Sequence, residues 1–222
     1  MKIALMNEFS QAAKNPVILN ELEKNAKMNG NEVFNVGMHK PEVEGDVPEA
    51  YTEENPRLTY IHLGIQAALL LNSKAVDFVV AGCGTGQGAL MSLNSYPGVY
   101  CGYCIEPTDA YLFLQINNGN ALSIPFAKGF GWGAELNIGN IFDKAFGSPA
   151  GMGYPKENKA SQVRNAGILA DVKTAVNKPL LDGLKEVDEE LLETALTKRF
   201  LDCFYAGCQD DEIKKFVDAH VK

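Results

Sequence analysis

Short apolar runs alternate with stretches of helical spacing along the first two thirds of the chain, the rhythm expected of βαβ units around a parallel sheet. The pattern predicts strands at Lys2 to Met6, Glu32 to Val36, Val76 to Val80, Val99 to Cys104 and Ala121 to Ile124. Helices are expected between them at about Pro16 to Met28, Leu58 to Leu71, Gly86 to Asn94 and Thr108 to Asn117. Punctuation agrees with periodicity. Pro16 suits a first helical turn, Asn29-Gly30 a helix stop and Tyr96-Pro97-Gly98 a tight turn into the fourth strand. The fold class that follows is α/β.

Met38 to Asn55, rich in acids and carrying Pro41 and Pro48, reads as a long loop after the second strand. Loops longer than about a dozen residues are often functional. Gly129 to Gly133 and Gly147 to Pro155 read as flexible turns around a helical stretch ending near Phe146, placed to shape a site or an interface. From Lys156 onward the chain reads mostly as helix. Leu191, Leu192, Ala195, Leu196 and Phe200 form an apolar stripe that must pack on something. The expected division is an α/β domain over residues 1–170 and a helical extension over 171–222 that serves packing or oligomerisation.

With 222 residues, 46% of them hydrophobic, the chain is long enough to build one substantial core. No run approaches the roughly 20 apolar residues of a membrane span. Met1 to Met6 gives way to Asn7-Glu8 too early for a signal peptide, so a cytoplasmic location is expected, with no membrane partner. Five cysteines, an odd number without framework spacing, read as free thiols of a reducing compartment. The formal charge of −8 argues against nucleic acid as a partner. From Pro125 to Lys178, however, seven basic residues face four acidic ones, a local excess of +3 that suits a small anion. The three histidines, His39, His62 and His220, are scattered without carboxylate spacing, so no metal or other cofactor is expected.

The densest chemical signal is Ala81-Gly82-Cys83-Gly84-Thr85-Gly86-Gln87-Gly88, between a buried strand run and the helix beginning Ala89-Leu90-Met91. Backbone N–H groups at a helix N-terminus favour anions, and glycines let a ligand approach the main chain. Such a turn also favours a thiolate, which makes Cys83 a candidate base or nucleophile. The turn lacks the lysine of a phosphate-binding Walker loop and does not fit Gly-x-Gly-x-x-Gly, so a nucleotide site is disfavoured. Cys101-Gly102-Tyr103-Cys104 matches a Cys-x-x-Cys redox pattern, but within the predicted fourth strand rather than at a helix start.

Gly82 to Gly88, then Asn94-Ser95-Tyr96-Pro97-Gly98-Val99, then Gln115-Ile116-Asn117-Asn118-Gly119-Asn120-Ala121-Leu122, together resemble the core of the ribose-5-phosphate isomerase B and galactose-6-phosphate isomerase family. The likeness covers most of Met1 to Arg164 in order. It implies a Rossmann-like three-layer sandwich with a five-stranded parallel sheet, followed here by the helical C-terminal extension. It also implies aldose–ketose isomerisation of a sugar phosphate through an enediolate, without metal, in a homodimer or homotetramer whose sites are shared between subunits. Cys83 would then remove the proton beside the carbonyl. The N–H groups from Gly84 through Gly86 and Gln87 to Gly88, with the Thr85 hydroxyl, would steady the oxyanion.

Other positions follow by the same resemblance. Glu8 stands where the family has Asp, and Phe9 where it has His; His62 keeps the family's distance to the cysteine. Ile116 occupies the place of the ring-opening histidine, next to Asn117, which is carried over as a ligand contact. Arg164, with Lys159 second, is the counterpart of the phosphate-binding arginines, since a guanidinium fork fits phosphate. Phe9 and Ile116 keep a second reading open, a non-catalytic sugar-phosphate binder or sensor.

Overall fold

A computed structural model of the chain describes residues 1–39, 51–52 and 54–221; most of the loop expected from Met38 to Asn55 lies outside them. Five strands, β1 (Lys2–Asn7), β2 (Glu32–Asn35), β3 (Phe78–Cys83), β4 (Cys101–Tyr103) and β5 (Ala121–Pro125), form one sheet in the order β2-β1-β3-β5-β4. Every pairing is parallel. The expected α/β class and five-stranded sheet are what the chain adopts.

Helices cover both faces: α1 (Asn15–Asn29), α2 (Tyr60–Asn72), α3 (Gln87–Asn94), α4 (Pro107–Leu112), α5 (Ala134–Phe146) and α6 (Lys159–Val176). Four shorter ones follow, α7 (Leu180–Leu184), α8 (Glu189–Ala195), α9 (Lys198–Gly207) and α10 (Asp211–Asp218). Strand side chains alternate between faces. Ile3, Leu5, Phe78, Val80, Leu122 and Ile124 meet Ile18 and Leu22 of α1 and Ile138, Phe142 and Phe146 of α5. Ala4, Met6, Val79, Ala81 and Cys83 meet α2 and α3 on the other side.

Two expectations need correction. The third strand was expected to end at Val80, but β3 runs on to Cys83, paired with β1 on one side and with β5 on the other. Ala81-Gly82 reads as turn in the sequence, yet Gly82 is a strand residue whose missing side chain makes room for the Phe126 ring and the Ile124 carbonyl. The fourth helix ends at Leu112 and passes into a π-helical turn, Phe113–Asn117, closed by Asn118 in the left-handed region at φ 50°.

The apolar stripe of the C-terminal segment finds its partner in α2. Leu192, Ala195, Leu196, Phe200, Phe204 and Val217 join the same buried cluster as Leu63, Ala67 and Leu70. Gln66, fully buried on α2, donates to the Ala195 carbonyl at 2.7 Å. Phe200 stacks on Phe204 at 5.7 Å between ring centroids. Phe200→Ala is expected to cost about 3–5 kcal/mol in chemical denaturation. Because the cluster is continuous, the loss should appear in one unfolding transition shared by the sheet and the C-terminal helices.

At its N-terminus α2 is capped by its own third residue. The Thr59 N–H donates to Nδ1 of His62 at 2.9 Å, which leaves the proton of the neutral ring on Nε2. Burial, with the Arg57 charge adding to it, pushes His62 below its ordinary 6.5. The native state therefore binds fewer protons than the unfolded chain, and this stability is present above about pH 6.5 and lost as pH falls through the folded value. His39, lowered by burial and by Arg199, acts in the same direction. Denaturation at pH 7 and pH 5 should show a smaller acid loss in His62→Gln than in the wild type, with a residual slope from His39.

Candidate active site

Ligands of open parallel sheets bind outside the carboxyl ends of the strands, where the strand order reverses. In this sheet the reversal lies between β1 and β3: the chain moves outward from β1 to β2 on one side and from β3 to β5 and β4 on the other. The segments leaving β1 and β3, Glu8 onward and Cys83 onward, therefore flank the crevice.

Cys83 is the last residue of β3. Its carbonyl accepts the Phe126 N–H at 2.9 Å, and its side chain is only 6% exposed, on the α2 and α3 face. The next three carbonyls are all taken up by the protein. Gly84 accepts from the N–H groups of Ala127 and Lys128, Thr85 from the Tyr103 hydroxyl at 2.9 Å, and Gly86 from the Ser123 hydroxyl at 2.5 Å. What the turn can offer a ligand is then its N–H groups, at the positive end of α3. Gly86 takes φ 73°, and a Cβ there would lie 2.9 Å from the Pro125 nitrogen. Gly88 faces the Tyr60 ring, 3.0 Å from where a Cβ would stand. Thr85 and Gln87 are exposed, and Thr85 Oγ1 accepts the Gln87 N–H at 3.3 Å.

Glu8 is buried, and both carboxylate oxygens are engaged by one residue, the Ser10 N–H at 2.9 Å and the Ser10 hydroxyl at 2.6 Å. It caps the 3₁₀ turn Phe9–Lys14. Phe9, which stands where the resembled family has a histidine, carries the Arg57 guanidinium 3.6 Å from its ring centroid. His62 shares a helix face with Gln66 and lines a concavity of about 570 Å³ with Arg57, Thr59, and Leu191 and Thr194 of α8. It thus faces the C-terminal helices, while Tyr60 faces the Gly88 turn.

Asn117, Lys159 and Arg164 are not brought to this end of the sheet. Asn117 precedes β5 and lines a concavity of about 430 Å³ between the π-helical turn and α6, beside Asn94 and Tyr100. Lys159 and Arg164 are exposed on α6, whose first turn packs on Gly153, and Gly153 is tied to the Gln115 carbonyl. Cys83 and Asn117 stand at opposite ends of adjacent strands, separated by the five residues of β5 or about 17 Å. One chain therefore carries two separate clusters. Glu8 and Cys83 to Gly88 form the first; Asn117, Lys159 and Arg164 form the second.

Among the described residues no group of three or more His, Cys, Asp or Glu side chains is placed to hold a metal ion, and no helix is long and apolar enough to cross a membrane. Burial pushes the Cys101 thiol well up, and burial with the Asp109 charge takes Cys104 to about 12. Both disfavour the thiolate that redox exchange needs. The sequence reading missed Arg57, Gln11 and Lys14. Their one signal was position, since they sit just before α2 or just after β1.

The pattern of the family described as Ribose/Galactose Isomerase matches residues 3–143, and a second, described as Ribose-5-phosphate isomerase, matches residues 175–219. The curated ribose-5-phosphate isomerase B of Escherichia coli strain K12 is 33% identical over 78 residues, a match that spans 35% of this chain and 52% of that protein. The chain thus matches about half the length of that relative. A solved ribose-5-phosphate isomerase from Vibrio parahaemolyticus is 56% identical, with a TM-score of 0.91 over 100% of this chain and 99% of that one. A solved 4-deoxy-L-threo-5-hexosulose-uronate ketol-isomerase, complexed with a tartrate, is 47% identical, with a TM-score of 0.91 over 99% of each chain. With the first pattern running from β1 into α5, across the whole sheet and the cysteine turn, the chain belongs to the Ribose/Galactose Isomerase family.

Proposed function

We propose that this chain catalyses aldose–ketose isomerisation of a sugar phosphate, with Cys83 as the base. One observation carries the reading: a thiol ends the central strand at the point of reversal, next to a turn whose carbonyls are occupied and whose N–H groups lead into α3. The Cys83 thiolate takes the proton from the carbon next to the carbonyl. The electron pair left behind forms the carbon–carbon double bond, and the carbonyl oxygen becomes the oxyanion of the enediolate. That oxygen is met by the N–H groups of the turn and by the Thr85 hydroxyl, whose oxygen accepts from Gln87 and whose proton is available to donate. Returning the proton to the neighbouring carbon, with the hydroxyl proton passing between the two oxygens, gives the other sugar. Side-chain and backbone groups account for each step without a metal.

The family relatives bear on the substrate. One solved neighbour is named for a pentose phosphate and the other for a hexosulose uronate, and both sugars are anions. The cations of the second cluster, Lys159 and Arg164, suit such a group, and a second copy of the chain would bring them to Cys83. α6 supports that arrangement. None of its 18 residues is buried, and Val163, Ile168, Leu169, Val172 and Val176 are all at least half exposed. A non-catalytic binder is the second reading, favoured by Phe9 and Ile116, which stand where the resembled family has histidines.

Deuterium uptake from heavy water into a panel of aldose and ketose phosphates, with hexuronates as a separate arm, tests the chemistry. Cys83→Ser is expected to slow exchange by about 10²- to 10⁴-fold. Binding of a sugar that undergoes no exchange with wild-type protein would favour the binder. The shared site has its own test. Cys83→Ser and Arg164→Ala subunits, each nearly inactive, are refolded together in equal amounts. Half of the dimers are then mixed, each with one intact site, so activity should return to about a quarter of wild type. Activity that stays at the sum of the two parents would mean that each chain completes its own site.

A further inference from the structure

The glycines of the catalytic turn do not all need to be glycine for the same reason. Gly82 makes room for the Phe126 ring, Gly86 has a positive φ and no space, and Gly88 lies against Tyr60. Gly84 has neither constraint. A Cβ on it would find nothing closer than Gln11 Nε2 at 3.6 Å and the Ala127 Cβ at 3.9 Å, ordinary contact distances, and its φ lies outside the left-handed region. Neither packing nor backbone conformation therefore requires a glycine at position 84.

A cation is tied to the same strand end. Lys14 Nζ donates to Gln11 Oε1 at 3.0 Å and to the Phe126 carbonyl at 2.5 Å, and lies 4.9 Å from the Phe130 ring centroid. Phe126 is also the residue whose N–H bonds the Cys83 carbonyl. Gln11, 5% exposed, passes the chain of hydrogen bonds on, its Nε2 donating to Ser10 Oγ at 2.8 Å and that hydroxyl to Glu8 at 2.6 Å. The Lys14 ammonium is thus fixed by two neutral acceptors and a ring face. Among the described residues no carboxylate pairs with it, in a chain of net charge −8. Half-burial without a counter-charge pushes its pKa down, the cost of holding an uncompensated ammonium there. Three N–H donors with two acceptors leave one for a ligand.

We propose that the substrate lies across Gly84, its reacting carbons at Cys83 and its anionic group at Lys14, which joins the cations a second copy would bring, with Gln11 holding the lysine in place. The assignment rests on the isomerase reading for its reacting carbons, and it gives the cysteine cluster a cation from its own chain. A phosphate and a sugar carboxylate share the chemistry that Lys14 recognises.

Calorimetric titration with inorganic phosphate and, separately, with D-galacturonate tests the anion site without turnover. Wild type should bind at least one of the two, and Lys14→Met should weaken that binding about ten-fold or more. Lys14→Arg and Cys83→Ser should stay within about three-fold of wild type. Lys14→Gln, which keeps a donor for the Phe126 carbonyl but removes the charge, replaces Lys14→Met if that variant does not fold. Equal binding by wild type and the charge-removing variant, or no binding of either anion by wild type, overturns the proposal. Whichever anion binds in a Lys14-dependent way identifies the substrate class. For a sugar that is turned over, Lys14→Met or Lys14→Gln should raise KM with kcat kept, since the contact is the same before and during proton transfer; a fall in kcat alone overturns it. Gly84→Ala should leave the melting temperature unchanged and raise KM, whereas an unchanged KM overturns the path across Gly84. Lys14-dependent anion binding in a protein without Cys83-dependent exchange would sink the isomerase reading and leave the anion site standing.

Discussion

Everything at the cysteine turn depends on β3 being paired on both sides as far as Gly82 and with β5 through Cys83. Cys83 is opposite Pro125 of β5, and Gly82 is opposite Asn7 of β1, so the thiol is delivered by a strand rather than by a loop. A residue that directly follows a two-sided ladder and is itself paired on one side has little freedom to move, and a base must be positioned before its reactivity matters. The geometry has a requirement of its own. At the end of β3 the aromatic Phe126 folds back over Gly82, and Pro125 crowds Gly86, so two positions must lack a Cβ for the chain to close around the strand end. The glycine-rich signature is thus partly structural, and only Gly84 remains unexplained by packing.

Period and punctuation made the sheet legible. Alternation of Ile3 and Leu5 with Ala4 and Met6 assigns each to one face, and both faces are covered as an all-parallel sheet demands. The end of β3 was less legible because Ala81-Gly82-Cys83 has turn composition; what makes it strand is pairing to β5, which lies about 40 residues away in the chain. Short-range pattern carries no information about such a partner. The π-helical turn after α4 was missed for a related reason, since Phe113–Asn117 keeps an apolar spacing that fits either kind of helix.

The candidate site was half legible. Cys83 to Gly88 could be read as a turn with chemistry because the glycines and the strand–helix context are local. Asn117 was set beside the same ligand through a family resemblance, although topology argues otherwise within one chain: a residue just before a parallel strand lies at the sheet's amino end. Lys159 and Arg164 follow it there, because the turn of Gly151 and Gly153 hangs from the Leu114 and Gln115 carbonyls. Lys14 and Gln11 went unread because neither belongs to a motif. Their significance comes from the Phe126 carbonyl just past β5 and from a glycine, Gly84, that packing does not require, both of them facts of three dimensions.

The C-terminal helices answer a problem posed by α2. From His62 to Leu70 every residue of that helix is buried, which no single sheet face can achieve, because a helix on a sheet leaves its outer side exposed. The outer side must meet a further layer, and α8, α9 and α10 provide it with Leu192, Phe200, Phe204 and Val217. The contact at Gln66 is polar, its Nε2 donating to the Ala195 carbonyl, so α8 is held in register as well as buried. His62 lies on that same face, one turn nearer the start of α2, with Arg57 ahead of it. Through α2, then, the packing of the last helices and the placement of the residues leading toward the crevice are one mechanical problem. A chain of this family that lost its C-terminal helices would have to change the sequence of α2 as well.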